Sequence, residues 1–96
     1  KIMAIGDIND EPGLLAYSEL MPELNLNRPD FIITNGENAA KGLGITPQTF
    51  GQILDLGTDA ITLGNHTWSK KDILKIIDND RLVRPINYPE GTPGSG

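Results

Sequence analysis

The sequence predicts an α/β fold built from βαβ units with parallel strands. Three short apolar runs, each leading into a glycine and a polar residue, have the composition of buried strands, which we expect near residues 1–6, 30–35 and 59–63. Segments with helical spacing of apolar residues lie between and after these runs. Strands that alternate with helices are typical of a parallel sheet, so we expect right-handed crossovers and helices packed on the sheet.

The first predicted helix begins near Pro12 and Gly13. Its apolar residues recur at intervals of three and four and therefore share one helix face: Tyr17, Leu20, Met21 and Leu24. Because a proline inside a helix removes a hydrogen bond, Pro22 predicts that this helix kinks or ends near Leu20.

The second predicted helix has signals at both ends. Thr46 is an N-cap residue and Pro47 suits the first helical position. Gly57 suits the position just after the helix. The apolar stripe between them consists of Phe50, Ile53 and Leu54.

The third predicted helix starts at Ser69, which pairs with Asp72 in a capping-box-like pattern. Its buried face consists of Ile73, Ile76 and Ile77. From Leu82 onward proline and glycine predominate, which predicts mostly loop. A three-stranded sheet followed by a loop is a thin core, so we expect the chain to be the front of a larger domain.

Composition narrows the function classes. The chain has 96 residues, of which 38% are hydrophobic, with no cysteine and a net charge of −5. No apolar run approaches the ~20 residues of a membrane span. The absence of cysteine excludes a disulfide framework and a thiolate metal site, and we expect a cytoplasmic protein. The acidic balance argues against a broad surface for binding nucleic acid.

Polar side chains follow each predicted strand, directly after a glycine or one residue later. Because the carboxyl ends of parallel strands meet at one rim, we expect these side chains to converge. Carboxylate and amide oxygens suit Mg²⁺, Mn²⁺, Ca²⁺ or Fe, and imidazole adds Fe, Mn or Zn. Taken singly, each residue could be a helix cap, a turn former or a packed histidine. Their recurrence at three strand ends favours a functional rim of Asp7, Glu37, Asn38, Asn65 and His66.

Several motifs together resemble those of a known family. In chain order they are "GD" at residues 6–7, "NGENA" at 35–39, "GLGIT" at 42–46, "GNHTW" at 64–68 and "RPINYPEGTPG" at 84–94. This series resembles the YmdB-type phosphodiesterases, a branch of the calcineurin-like metallophosphoesterases, over nearly the whole chain. The resemblance implies the N-terminal part of a metallophosphoesterase-type α/β sandwich.

The resemblance also implies a hydrolase with a dinuclear metal centre that acts on cyclic nucleotides such as 2′,3′-cyclic AMP. Asp7 and Asn38 would bind the first metal ion, Asn65 the second, and Glu37 would bridge both. The two divalent ions would be Fe, Mn or Mg. His66 would protonate the leaving oxygen and would not bind metal.

Two departures accompany the resemblance. The wider superfamily has an Asp-x-His pattern after the first strand, whereas this chain has Asp7-Ile8-Asn9, as the YmdB branch does. The family's other metal-binding histidines lie in a C-terminal part that residues 1–96 do not contain. We therefore expect residues 1–96 to be the N-terminal part of a single metallophosphoesterase domain, inactive alone.

A second function class stays open, namely a non-catalytic βαβ module that binds a nucleotide or a partner without hydrolysis. Gly42 and Gly44, just before the second helix, favour it weakly because a helix N-terminus can hold a phosphate. For the enzyme, the expected partner is a small phosphodiester or cyclic nucleotide, with no membrane and no nucleic acid. Whether the protein forms a homo-oligomer stays open.

Overall fold

The computed structural model describes residues 1–96 and contains one four-stranded parallel sheet. Its strands are β1 (Ile2–Ile5), β2 (Phe31–Asn35), β3 (Ala60–Thr62) and β4 (Leu82–Val83), which lie side by side in that order. The helices are α1 (Asp10–Leu26) and α2 (Pro47–Asp55), and a 3₁₀ helix covers Lys71–Lys75. The predicted α/β class and the three predicted parallel strands are confirmed.

The register of the sheet decides which side chains share a face. Ile5 pairs with Thr34, Thr34 with Ile61, and Ile61 with Leu82. These four residues therefore point to the same side of the sheet. That side is the covered one, because Thr34, Ile61 and Leu82 are at most 1% exposed.

The helices supply the cover on this side. Tyr17 of α1 and Ile53 of α2 are fully buried. The Tyr17 hydroxyl lies 2.8 Å from Thr58 Oγ1, which lies 2.6 Å from Thr34 Oγ1. This chain of hydroxyls satisfies three buried polar groups and fixes α1 against the sheet.

The opposite face of the sheet is open. Ile2 of β1 and Phe31 of β2 are paired neighbours on it, and they are 70% and 41% exposed. Ile33, two residues along β2, is only half-buried. The face is apolar, as expected of a surface that packs against another layer.

Helix α1 differs from the prediction at both ends. It begins at Asp10, so Pro12 lies in the first turn. Proline is tolerated there because a backbone N–H at that position would have no acceptor within the helix. It also continues through Pro22 to Leu26, so of the two predicted effects of Pro22, a kink or an end near Leu20, the end is wrong. Burial of Tyr17 and Leu24 on either side of the proline holds the helix together, whereas Leu20 itself is exposed.

Helix α2 follows the prediction closely. Thr46 is its N-cap, and Thr46 and Thr49 each accept the other's backbone N–H through their side chains. Pro47 occupies the first helical position, and Gly57 follows the helix with φ of +108°. Phe50 and Ile53 are buried.

The segment after β3 departs from the prediction. Ser69 donates its backbone N–H to the His66 carbonyl, so it belongs to a turn. The 3₁₀ helix starts two residues later without a side-chain cap, and the predicted capping box with Asp72 is wrong. Ile73 and Ile77 are nevertheless buried, as predicted.

Strand β4 was predicted as loop. It forms because β3 supplies partners: Ile61 N–H donates to the Arg81 carbonyl at 2.7 Å, and Leu63 N–H donates to the Val83 carbonyl at 3.0 Å. Arg81 Nε also donates to the Asp59 carbonyl at 2.9 Å. Neither α1 nor α2 combines the length and the apolar composition that a membrane-spanning helix needs.

Candidate functional site

The candidate site lies where β1, β2 and β3 end. Asp7 comes two residues after β1, Glu37 two residues after β2, and Asn65 three residues after β3. The carboxyl ends of parallel strands form one rim, and this rim is the usual place for a ligand site in such a sheet.

The backbone joins the loops after β1 and β2. Ile8 N–H donates to the Asn35 carbonyl at 3.1 Å, and Asp10 N–H donates to the Asn38 carbonyl at 3.1 Å. Asp7 has a φ of +39°, a conformation that Asp adopts more readily than most residues. At this turn the Asp7 carboxylate lies within hydrogen-bond distance of Asn38, which follows β2.

Asn38 links two of the predicted residues through its side chain. Its Nδ2 donates to Asp7 Oδ1 at 2.8 Å, and its Oδ1 lies 2.6 Å from His66 Nδ1. A carboxylate only accepts, so the amide nitrogen must face Asp7 and the amide oxygen must face the imidazole. The proton on the ring is therefore assigned to Nδ1, which leaves Nε2 free for exchange with a ligand.

His66 is presented by a tight turn. Thr67 donates both its hydroxyl, at 2.6 Å, and its backbone N–H, at 3.2 Å, to the Gly64 carbonyl. Thr67 itself is fully buried. The turn therefore anchors the neighbour of His66 in the core while the imidazole stays half-buried at the rim.

The Glu37 carboxylate lies against the same turn. Its Oε2 accepts from the His66 backbone N–H at 3.4 Å and lies 3.9 Å from His66 Nδ1. Its Oε1 accepts from Asn35 Nδ2 at 3.5 Å. A Cβ placed on Gly64 would lie 2.5 Å from Oε1 and 2.6 Å from Cδ of Glu37, so the carboxylate occupies the space that glycine leaves.

Asn35 and Gly64 are contacts of Glu37 that sequence reasoning missed. Asn35 Oδ1 is buried without a hydrogen-bond partner, the sole such side-chain atom of the chain. Asn35 is the last residue of β2 and Glu37 follows two residues later, so their closeness in sequence was the one signal for this contact. Nothing in the sequence alone indicated that Gly64 contacts Glu37, because the contact crosses from β3 to β2.

The structure therefore brings four of the five predicted residues into one network: Asp7, Glu37, Asn38 and His66. Asn65 is adjacent in sequence but is exposed and lines a neighbouring cavity with Pro85, Asn87 and Tyr88. The four linked residues thus come together in one hydrogen-bond network, but none of them lines a cavity, so the predicted common pocket is not formed by residues 1–96. Asn65 stands at the border of the neighbouring cavity.

The donor set fits part of the coordination shell of a hard divalent cation. Carboxylate and amide oxygens are suitable ligands, and Asn38 Oδ1 keeps a second lone pair beside the one that accepts from His66. The chain has no group of three or more His, Cys, Asp or Glu side chains that could hold a metal ion. Residues 1–96 thus supply a partial set of ligands.

A parallel sheet with helices on one face, and with carboxylates, amides and an imidazole at its strand ends, is the α/β arrangement that the resemblance to metallophosphoesterases implies. A family model described as "YmdB-like protein" matches residues 3–96. The chain belongs to this YmdB-like family, and the predicted family resemblance is confirmed.

Relatives and solved structures agree with this assignment. The chain is 49% identical over 98 residues to the 2′,3′-cyclic-nucleotide 2′-phosphodiesterase of Bacillus subtilis strain 168, covering 100% of this chain and 37% of that protein. A crystal structure of a hypothetical protein from Thermus thermophilus is similar with a TM-score of 0.92 and 41% identity, over 99% of this chain and 37% of the other. A phosphatase from Mycoplasma pneumoniae gives a TM-score of 0.88 and 29% identity, over 99% and 36%.

Proposed function

We propose that the chain belongs to a metal-dependent phosphodiesterase that hydrolyses cyclic nucleotides such as 2′,3′-cyclic AMP through a two-metal site. The observation that carries the proposal is the network at the strand ends, in which Asn38 joins Asp7 to His66 and Glu37 lies against the same turn. The similarity to the 2′,3′-cyclic-nucleotide 2′-phosphodiesterase of Bacillus subtilis supports the choice of substrate.

We also propose that residues 1–96 form the N-terminal part of a single metallophosphoesterase domain. The chain spans 37% of the length of the Bacillus relative. The open face of the sheet, with Ile2 and Phe31 exposed, is suited to packing against a further layer of the same domain. Residues outside 1–96 would complete the metal ligands.

In this proposal, Asp7 and Asn38 would hold one divalent ion, Asn65 would hold the other, and the Glu37 carboxylate would contribute to both sites. Fe, Mn or Mg would suit these oxygen ligands. When bound, the two ions would neutralise charge on the phosphate and lower the cost of forming the attacking hydroxide. Asn35 and the His66 backbone N–H orient the Glu37 carboxylate.

His66 serves as the general acid in this proposal. As the acid, His66 carries a proton on each ring nitrogen: Asn38 accepts the Nδ1 proton, and the Nε2 proton is the one delivered, which leaves the neutral ring with its proton on Nδ1. As the phosphorus–oxygen bond to the ribose breaks, its electron pair stays on the leaving oxygen, which takes the Nε2 proton. Imidazole suits this task because it exchanges protons near neutral pH.

The alternative, a non-catalytic nucleotide-binding module, has less support. The N-terminus of α2, where a phosphate would bind, is already capped by the reciprocal bonds of Thr46 and Thr49. Gly42 and Gly44 both have positive φ and form a turn ahead of the helix. The cytoplasmic location stays a prediction, and the oligomeric state stays open.

The proposal is tested by metal analysis of the complete protein and its Glu37→Gln variant. The substitution removes the bridging charge, so we expect the metal content to fall below two ions per chain and hydrolysis of 2′,3′-cyclic AMP to be lost. Glu19→Gln, the same change at an exposed position of α1, is the matched control and should leave both unchanged. Two ions and full activity in Glu37→Gln would contradict the bridging role.

A further inference from the structure

The loop after β4 borders a half-open cavity that lies outside the hydrogen-bond network at the strand ends. Its volume is about 280 Å³, and its lining consists of Asn65, Pro85, Asn87 and Tyr88. Asn65 directly precedes His66, so this cavity begins at the border of the candidate site.

The Arg84 side chain donates hydrogen bonds to backbone carbonyls within this loop. Its Nε donates to the Pro93 carbonyl at 2.8 Å and its Nη1 to the Pro85 carbonyl at 2.9 Å. Its Nη2 donates to the carbonyls of Thr92 and Gly94, at 3.1 and 3.3 Å. These four hydrogen bonds from one guanidinium link residues up to ten positions apart, so they fix the conformation of the loop that forms the cavity wall.

The Tyr88 ring in that wall is held from two sides. The Arg84 guanidinium carbon lies 5.9 Å from the ring centroid, within the range of a cation–π contact. The Trp68 ring meets the Tyr88 ring edge-on, with centroids 5.9 Å apart and an interplanar angle of 75°. Tyr88 is therefore an oriented aromatic wall, while the amides of Asn65 and Asn87 are exposed.

We propose that this cavity binds the nucleobase of the substrate, an inference that rests on the proposed phosphodiesterase function. The base packs against the Tyr88 ring, and the Asn87 amide, which can both donate and accept, contacts the base edge. The Asn65 end of the cavity then faces the phosphate at the candidate site. An oriented aromatic wall beside a free amide is a general way to hold a flat heteroaromatic ring.

The test compares two substrates that differ only by the base, adenosine 2′,3′-cyclic phosphate and ribose 2′,3′-cyclic phosphate, on the complete protein. The measured quantity is the ratio of their kcat/KM values. Tyr88→Ala should lower this preference for the base about five- to hundredfold, the range typical of stacking on an aromatic side chain. Tyr88→Phe keeps the ring and should keep the ratio, and Asn87→Ala should lower it to a smaller degree.

Ile86→Ala is the matched control, because Ile86 is an exposed residue of the same loop that does not line the cavity. A ratio that stays at the wild-type value in both Tyr88→Ala and Asn87→Ala would overturn the base site. Hydrolysis of neither substrate by the wild-type protein would instead refute the proposed function. Asn87→Ala, a change at an exposed residue, gives the answer even where Tyr88→Ala fails to fold.

Discussion

At the residue scale, the Glu37 carboxylate depends on a neighbour that has no side chain. Gly64 lies just after β3, and the carboxylate of Glu37, from the end of β2, fills the space where its Cβ would stand. Gly64 is not among the glycines with positive φ, so glycine is required there for room and not for conformation. A metal site at this rim would therefore depend on a residue that binds nothing itself.

Gly64→Ala should displace the Glu37 carboxylate and weaken metal binding in the complete protein by about tenfold to a hundredfold, as for other residues that orient a ligand. Titration of Mn²⁺ into the metal-free protein by calorimetry measures this directly. Gly6→Ala is the control, because an added Cβ at Gly6 meets no atom within 4 Å. Equal Mn²⁺ affinity in both variants would contradict the steric argument.

At the element scale, α2 with both its caps and the strands β1, β2 and β3 were predictable because their sequence signals are local. The elements that were not predicted depend on contacts between residues distant in sequence. Strand β4 has two residues and exists through its pairing with β3. Helix α1 runs through Pro22 because Tyr17 and Leu24 are buried on either side. The candidate rim was predictable from the strand ends, whereas the contact between Glu37 and Gly64 was not.

Pro22→Ala should raise the melting temperature of the complete protein. The substitution restores an N–H inside α1, worth up to about 3 kcal/mol in a helix interior, less the entropy that proline removes from the unfolded chain. Pro12→Ala, in the first turn of the same helix, restores an N–H that has no helical acceptor and should bring no gain. The melting temperatures are measured by circular dichroism. Equal changes in the melting temperatures of Pro22→Ala and Pro12→Ala would contradict this explanation.

At the scale of the whole molecule, the sheet is covered on one face and open on the other. Ile2 and Phe31 are large apolar side chains on the open face. In the proposed complete domain, a further layer would cover them and would contribute further metal ligands. Residues 1–96 alone should then bind metal weakly and hydrolyse little or no cyclic nucleotide, which metal analysis and an activity assay of the isolated chain would measure.

The substitution Phe31→Ser tests whether the open face of the sheet is covered in the complete protein or is exposed to solvent. In the complete protein it should lower the free energy of unfolding by about 3 kcal/mol or more, as for other large side chains removed from a core. Leu74→Ser is the control, since Leu74 is 64% exposed and lies in the 3₁₀ helix, away from the sheet. Denaturant unfolding with equally small effects for the two variants would show that nothing covers the face.

The central claim is that His66 acts as the general acid, because this role depends on both the position of His66 at the strand ends and its hydrogen bond with Asn38. The kinetics of His66→Ala test the claim most directly. The variant of the complete protein should keep both metal ions and lose about 10²–10⁴-fold in rate on 2′,3′-cyclic AMP, which must expel a ribose alkoxide. A nitrophenyl phosphodiester, whose leaving group needs little protonation, should lose much less. Equal losses on the two substrates, with both metal ions retained, would contradict the assignment of His66 as the proton donor.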